Sequence, residues 1–171
     1  RDRTAREMAE LMVGAVLTPP ARSGAAKGDV ALEVAGLSVA SPIPFGTALK
    51  NVGFTVRKGE VLGIAGVAGN GQDELLLALS GELRSAAGAV KIAGVAMGDK
   101  GPNVRRVAGL VAAPEERLGH AAAPDMSLVE NALLSGAVRQ GLVRGGFIDW
   151  PATQAFAAGI VKDFDVRTPG T

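Results

Sequence analysis

The sequence predicts an α/β fold that is strand-rich at first and helix-rich later, with a glycine-rich loop between the two regimes. Three observations carry this. An apolar run, Val61 to Ala65, leads into Gly66-x-x-x-x-Gly71 and then into the helix-compatible Glu74-Leu75-Leu76-Leu77-Ala78-Leu79, a strand, loop, helix order suited to binding phosphate. Upstream, Val30 to Val39 and Leu49 to Val56 alternate in the manner of strands with one solvated face. Downstream, Ser127-Leu-Val-Glu130 fits a capping box and opens a helical region.

In chain order, residues 3 to 13 place Ala5, Met8, Ala9 and Met12 on one helical stripe, and Gly14 ends that helix. Residues 15 to 29 contain paired prolines and several glycines with little periodicity, which reads as a linker, so the first helix belongs to a preceding unit. Val30, Leu32 and Val34 then share a strand face, as do Val52, Phe54 and Val56, and Lys58-Gly59-Glu60 supplies a turn. Val61 to Ala65 has the unbroken apolar character of a strand buried on both faces, and the helix after the loop stops at Gly81. Val90 to Ala93 and Val107 to Ala112 read as short strands. A last helix opens at Asp149-Trp-Pro151 and carries Phe156, Ile160 and Phe164 at i+4 spacing. There is no internal repeat and no low-complexity tract.

Composition narrows the function. The 171 residues are 47% hydrophobic, with a mean hydropathy of +0.25, enough for one domain with a sizeable core. No apolar run reaches the roughly 18 to 20 residues that span a bilayer, and no signal-peptide pattern opens the chain, so a cytoplasmic address is expected. The absence of cysteine excludes disulfides and thiolate metal sites, and the single histidine, His120, argues against a histidine-based metal cluster or a serine-type triad. A net charge of +1 and an aromatic content of 4% offer neither a basic patch nor stacking platforms, so nucleic acid is not an expected partner.

Glycines at 63, 66, 69 and 71 allow a wrapped backbone whose N–H groups, with the positive end of the following helix, hold an anion without a basic side chain. Where phosphate loops read Lys then Ser or Thr, this chain has Gln72 and Asp73. The missing lysine removes a charge-assisted hydrogen bond worth about 1.5 to 3 kcal/mol, or roughly tenfold to 150-fold in affinity. Asp73 could ligate Mg²⁺, but it would repel a phosphate about 4 Å away by roughly 4 kcal/mol at an effective dielectric of about 20. Hydrolysis at this loop is disfavoured. Two other readings remain open on these residues alone. The glycines could serve only a packed turn, making the chain an interaction module. Gly63-x-x-Gly66-x-x-Gly69 also matches a variant dinucleotide fingerprint with Glu82 near the spacing of a ribose-binding acid. Against the dinucleotide enzyme stand the two strands before the loop and the lack of strand-helix alternation after it.

Four segments together resemble a known family: 63 to 72 (Gly-Ile-Ala-Gly-Val-Ala-Gly-Asn-Gly-Gln), 113 to 117 (Ala-Pro-Glu-Glu-Arg), 125 to 131 (Asp-Met-Ser-Leu-Val-Glu-Asn) and 164 to 170 (Phe-Asp-Val-Arg-Thr-Pro-Gly). They are similar to the second ATP-binding cassette of the tandem-cassette ATPases that energise bacterial monosaccharide and nucleoside ABC importers. Thr4 to Gly14 is similar to the end of the first cassette of such proteins, so the resemblance covers nearly the whole chain. It implies three parts: 1–14 as the end of a preceding cassette, 15–29 as a linker, and 30–171 as the N-terminal part of the second cassette. The implied fold is a P-loop core sheet with an antiparallel β subdomain and a partial, truncated helical subdomain. The implied cofactors are ATP and Mg²⁺, weak or absent at this half-site. The implied partners are the permease transmembrane subunits and the first cassette, at the cytoplasmic face of the plasma membrane.

Carried over residue by residue, the resemblance makes Gly66, Val67, Ala68, Gly69, Asn70, Gly71, Gln72 and Asp73 the phosphate loop. Second cassettes of this family commonly carry Gln where Lys is expected, in agreement with Gln72. Glu115 takes the place of the glutamine that links γ-phosphate and Mg²⁺ to the permease contact, and Asp73 and Glu115 are the candidate metal ligands. Phe45 is the candidate adenine-stacking aromatic. No catalytic residue is assigned, because the Leu-Ser-Gly-Gly signature, the Asp-Glu strand and the switch histidine are expected beyond Thr171. Leu79-Ser80-Gly81-Glu82 and Leu134-Ser135-Gly136-Ala137 come too early to be that signature and read as helix ends. His120 reads as a surface residue, and Arg117 as a loop ion-pair partner of Glu115 or Glu116.

Overall fold

The computed structural model of the protein describes residues 4–14, 16 and 28–168. Helix α1 (Ala5–Val13) begins at a Thr4–Glu7 capping box and ends where Gly14 turns left-handed at φ 72°. Nearly all of the expected linker lies outside the described residues.

Strands β1 (Val30–Val39) and β2 (Leu49–Arg57) form the expected antiparallel pair, with Leu32 opposite Val56 and Val34 opposite Phe54. The register slips near Gly36 and Asn51, both at positive φ (64° and 51°), the left-handed conformation found at one class of β-bulge. A short 3₁₀ turn (Ala87–Ala89) leads into β3 (Val90–Ile92), which pairs with β1, and β4 (Val95–Ala96) completes a four-stranded antiparallel sheet in the order β2-β1-β3-β4. Helix α2 (Gln72–Ser80) lays Leu75 and Ala78 against Val34, Leu37, Leu49 and Val90 of this sheet. This is the core. Its stop at Gly81, left-handed at φ 91°, is the one expected from the sequence.

Two expected strands are absent. Val61 to Ala65 forms no strand and is exposed, Val61 being 96% accessible. Val107 closes helix α3 (Pro102–Val107), and residues 108 to 112 form no strand. An apolar run becomes an inner strand only when neighbouring strands take up its N–H and C=O groups. Among the described residues neither segment has such a neighbour. The α/β class and the antiparallel sheet stand; the strands expected at 61–65 and 107–112 do not form here.

The sequence also gives no sign of the buried Arg105, on α3. Its side chain is wholly inaccessible, and its guanidinium donates to the carbonyls of Lys100 (3.0 Å), Leu79 (2.8 Å), Gly98 (2.9 Å) and Ala78. Two of these carbonyls belong to the last turn of α2, which has no intrahelical donors for them. Burial lowers the Arg105 pKa, and nearby Asp99 acts in the opposite direction.

Helix α4 (Leu128–Gly136) starts at the anticipated Ser127–Glu130 capping box. After a short hairpin of β5 (Val143–Arg144) and β6 (Phe147–Ile148), helix α5 (Trp150–Asp163) starts at Asp149, whose carboxylate accepts from the Ala152 N–H at 3.1 Å. Helices α4 and α5 pack through Ala132, Gly136 and Ala157. Gly136 is buried, and a Cβ there would come within 2.7 Å of Phe156 Cε1. Packing therefore explains Gly136 of the second signature-like tetrapeptide, whereas capping explains Gly81 of the first. Gly136→Val is expected to push the two helices apart at a cost of about 1 to 3 kcal/mol, seen as a lower thermal midpoint; an unchanged midpoint would refute the close contact.

Candidate functional site

The glycine-rich loop forms where the sequence places it. Gly69 (φ 84°) and Gly71 (φ 98°) are left-handed, and these two reversals turn the chain into the first turn of α2. Gly71 is buried, and a Cβ there would meet Leu49 Cδ2 at 3.2 Å, a close contact that adds to the cost of any side chain at this positive φ. Gly66, Val67, Ala68, Gly69 and Asn70 are exposed. The Thr47 hydroxyl donates to the Gly69 carbonyl at 2.8 Å and fastens the loop to the segment before β2.

Gln72 does not project into solvent. Its Nε2 donates to the Val67 carbonyl and its Oε1 accepts from the Asn70 N–H, both at 3.0 Å, so the carboxamide bridges the loop from within. The residue type was legible in the sequence; the direction of its side chain was not.

Glu74, one residue beyond Asp73, had no predicted role and proves to be the buried anchor of the site. Only 4% exposed, it accepts from the Ser41 hydroxyl at 2.7 Å and the Thr47 N–H at 2.9 Å, tying α2 to loop 41–47. Gly46 lies so close that a Cβ would clash with Ser41 Oγ and Glu74 Oε1. The Ser41 hydrogen bond is the main cause that holds the Glu74 carboxyl below its ordinary value of 4.5. The folded state therefore binds this proton less tightly than the unfolded chain. Its stabilisation is present above the ordinary carboxylate range and is lost as pH falls through the depressed folded pKa. Glu74→Gln is expected to flatten the acid limb of the stability–pH profile, followed by denaturant unfolding between about pH 2 and 7; an unchanged slope would refute the assignment.

Phe45, on the same loop, stands fully exposed at φ 62°, two residues from Thr47, with no packing partner. Asp73 and Glu115 line one cleft of about 510 Å³ together with Ile43, Leu76, Pro114 and His120. The structure thus brings the two candidate metal ligands to a shared space. Among the described residues no group of three His, Asp or Glu side chains is gathered to hold a metal. Any ion here would take its remaining ligands from phosphate oxygens and water.

The surrounding loop departs from expectation at Arg117, which makes no ion pair with Glu115 or Glu116. His120 lies at the surface as expected, where it meets Glu82, Nε2 to Oε2 at 2.9 Å. Asn131 organises the approach to α4: its Nδ2 donates to the carbonyls of Ala123 (3.0 Å), Met126 (3.1 Å) and Ser127 (3.1 Å), and its Oδ1 accepts from the Ala123 N–H at 2.8 Å. These contacts give the Asp-Met-Ser-Leu-Val-Glu-Asn segment a physical reason for its terminal asparagine.

The protein-family description "ABC transporter" matches residues 49–164, more than half of the chain. The chain is 35% identical over 162 residues to a glucose import ATP-binding protein of Haloferax volcanii, covering 94% of this chain and 29% of that protein. It is 30% identical over 170 residues to a nucleoside import ATP-binding protein of Lactococcus lactis subsp. cremoris, covering 99% and 33% respectively. A putative ribose/galactose/methyl galactoside import ATP-binding protein of Agrobacterium fabrum is 36% identical over 167 residues, covering 97% and 32%. The chain thus spans about a third of the length of these relatives. No solved structure is matched significantly. The glycine loop, its helix and the segments 113–117 and 125–131 fall within the matched region, and the chain belongs to the ABC transporter family.

Proposed function

We propose that the chain is part of the ATP-binding subunit of an importer for simple sugars or nucleosides, and that its phosphate loop is a degenerate, non-hydrolytic half-site. The names of the relatives, which are sugar and nucleoside import ATP-binding proteins, support the class. The observation that carries the degenerate site is Gln72, which stands in the lysine position with its carboxamide bonded inside the loop. No side-chain cation in the loop neutralises an incoming phosphate, while Asp73 adds a negative charge beside it.

In this reading residues 66 to 73 cradle the ATP phosphates and Phe45 stacks on the adenine. Asp73 and Glu115 face the Mg²⁺, which when bound would screen the phosphate charge. Residues 1–14 end a first cassette, 15–29 link the two, and 30–171 open the second. The segment from Pro114 into α4 faces the permease, which holds the subunit at the cytoplasmic face of the membrane; no described helix is long and apolar enough to cross it. Turnover belongs to the composite site that uses the first cassette's phosphate loop and this cassette's signature. The segments 61–65 and 107–112 gain their strand partners from the rest of the domain. Isothermal titration of the chain with ATP and Mg²⁺, with a phosphate-release assay, is expected to show binding weaker than micromolar and no release. Sub-micromolar binding or measurable release would overturn the degenerate-site reading.

A further inference from the structure

We infer that Gln72 is a latch on the phosphate loop: its carboxamide occupies the anion cradle when the loop is empty, and must swing out before a nucleoside triphosphate can bind. The inference rests on the reading of residues 66 to 73 as an ATP cradle and adds how that cradle is gated.

Three observations carry it. The Asn70 N–H, an inward donor of the loop, is already spent on Gln72 Oε1 at 3.0 Å, and one N–H cannot serve that oxygen and a phosphate oxygen at full strength. The Val67 carbonyl, whose lone pairs would repel an anion, receives Gln72 Nε2 at 3.0 Å, so the amide satisfies both polarities of the loop at once. The side chain also lies directly over Gly66, where an added Cβ would come within 2.6 Å of Nε2. A neutral carboxamide thus takes the place an oxyanion would take, with matched donor and acceptor.

Two substitutions open the latch without adding an atom to the loop backbone. Gln72→Ala removes the carboxamide outright, and Gln72→Met keeps the length of the side chain but has no amide to bridge the Asn70 N–H and the Val67 carbonyl.

The test is titration of the wild-type chain and of both variants with MgATP, after circular dichroism confirms equal folding. Both variants are expected to bind about threefold to thirtyfold more tightly than wild type, since two neutral hydrogen bonds no longer compete with the ligand. If the wild type binds and either variant binds no more tightly, the latch is wrong while the ATP cradle stands. If none of the three binds MgATP, the cradle reading fails and the latch fails with it.

Discussion

Arg105→Met is expected to cost about 3 to 5 kcal/mol of folding stability, the largest single effect in this chain. The side chain is wholly buried and its guanidinium is the donor for four carbonyls. Methionine fills similar space but donates nothing, so buried carbonyls are left at about 1 to 3 kcal/mol each, partly offset by no longer burying a charge. Two of those carbonyls end α2, where the helix dipole also favours a cation. The damage therefore reaches the helix that carries the glycine loop. Arg105→Lys is expected to recover only part of the loss, because an ammonium lacks the fork that reaches acceptors on two segments, the end of α2 and the turn 98–100. Urea unfolding measures both. A midpoint change equivalent to less than about 1 kcal/mol for Arg105→Met would show that these carbonyls find other donors.

Gln72→Lys is expected to raise MgATP affinity by roughly tenfold to 150-fold over Gln72→Ala, the equivalent of a charge-assisted hydrogen bond of about 1.5 to 3 kcal/mol, and by more than that over the wild type. Two effects act in the same direction. Lysine supplies the missing positive charge to the outer phosphates, and it cannot accept from the Asn70 N–H, so the loop loses its internal bridge. Phosphate release is expected to stay undetectable, since in the proposed reading turnover belongs to the composite site that uses the first cassette's phosphate loop. Titration and a release assay separate the two quantities. An affinity gain no larger than that of Gln72→Ala would mean that the charge adds nothing and that opening the loop accounts for the whole effect.

What could be read from the sequence was local. Helix starts at Ser127 and Asp149, helix stops at Gly14 and Gly81, and the alternating faces of β1 and β2 all depend on residues within a turn or a strand of one another. The glycine loop belongs to the same class, because positive φ at Gly69 and Gly71 is a property of residue type. The expected strands at 61–65 and 107–112 failed for the converse reason. Apolar runs show which residues resist water, but a strand exists only with a pairing partner, and the described residues provide none. Arg105 was illegible because its partners are backbone carbonyls 5 to 27 positions away, which no pattern of charges announces.

The sequence by itself determined the α/β class, the position of the glycine-rich loop, and the presence of Gln72 and Asp73 where phosphate loops carry a lysine and a hydroxyl. Only the tertiary structure decided that Gln72 turns inward to bridge its own loop, that Glu74 is buried to bind loop 41–47 to α2, and that Asp73 and Glu115 face one cleft. The division has a physical cause. Backbone propensity and capping are set by near neighbours, whereas the direction and burial of a polar side chain depend on which distant donors and acceptors the fold brings within about 3 Å.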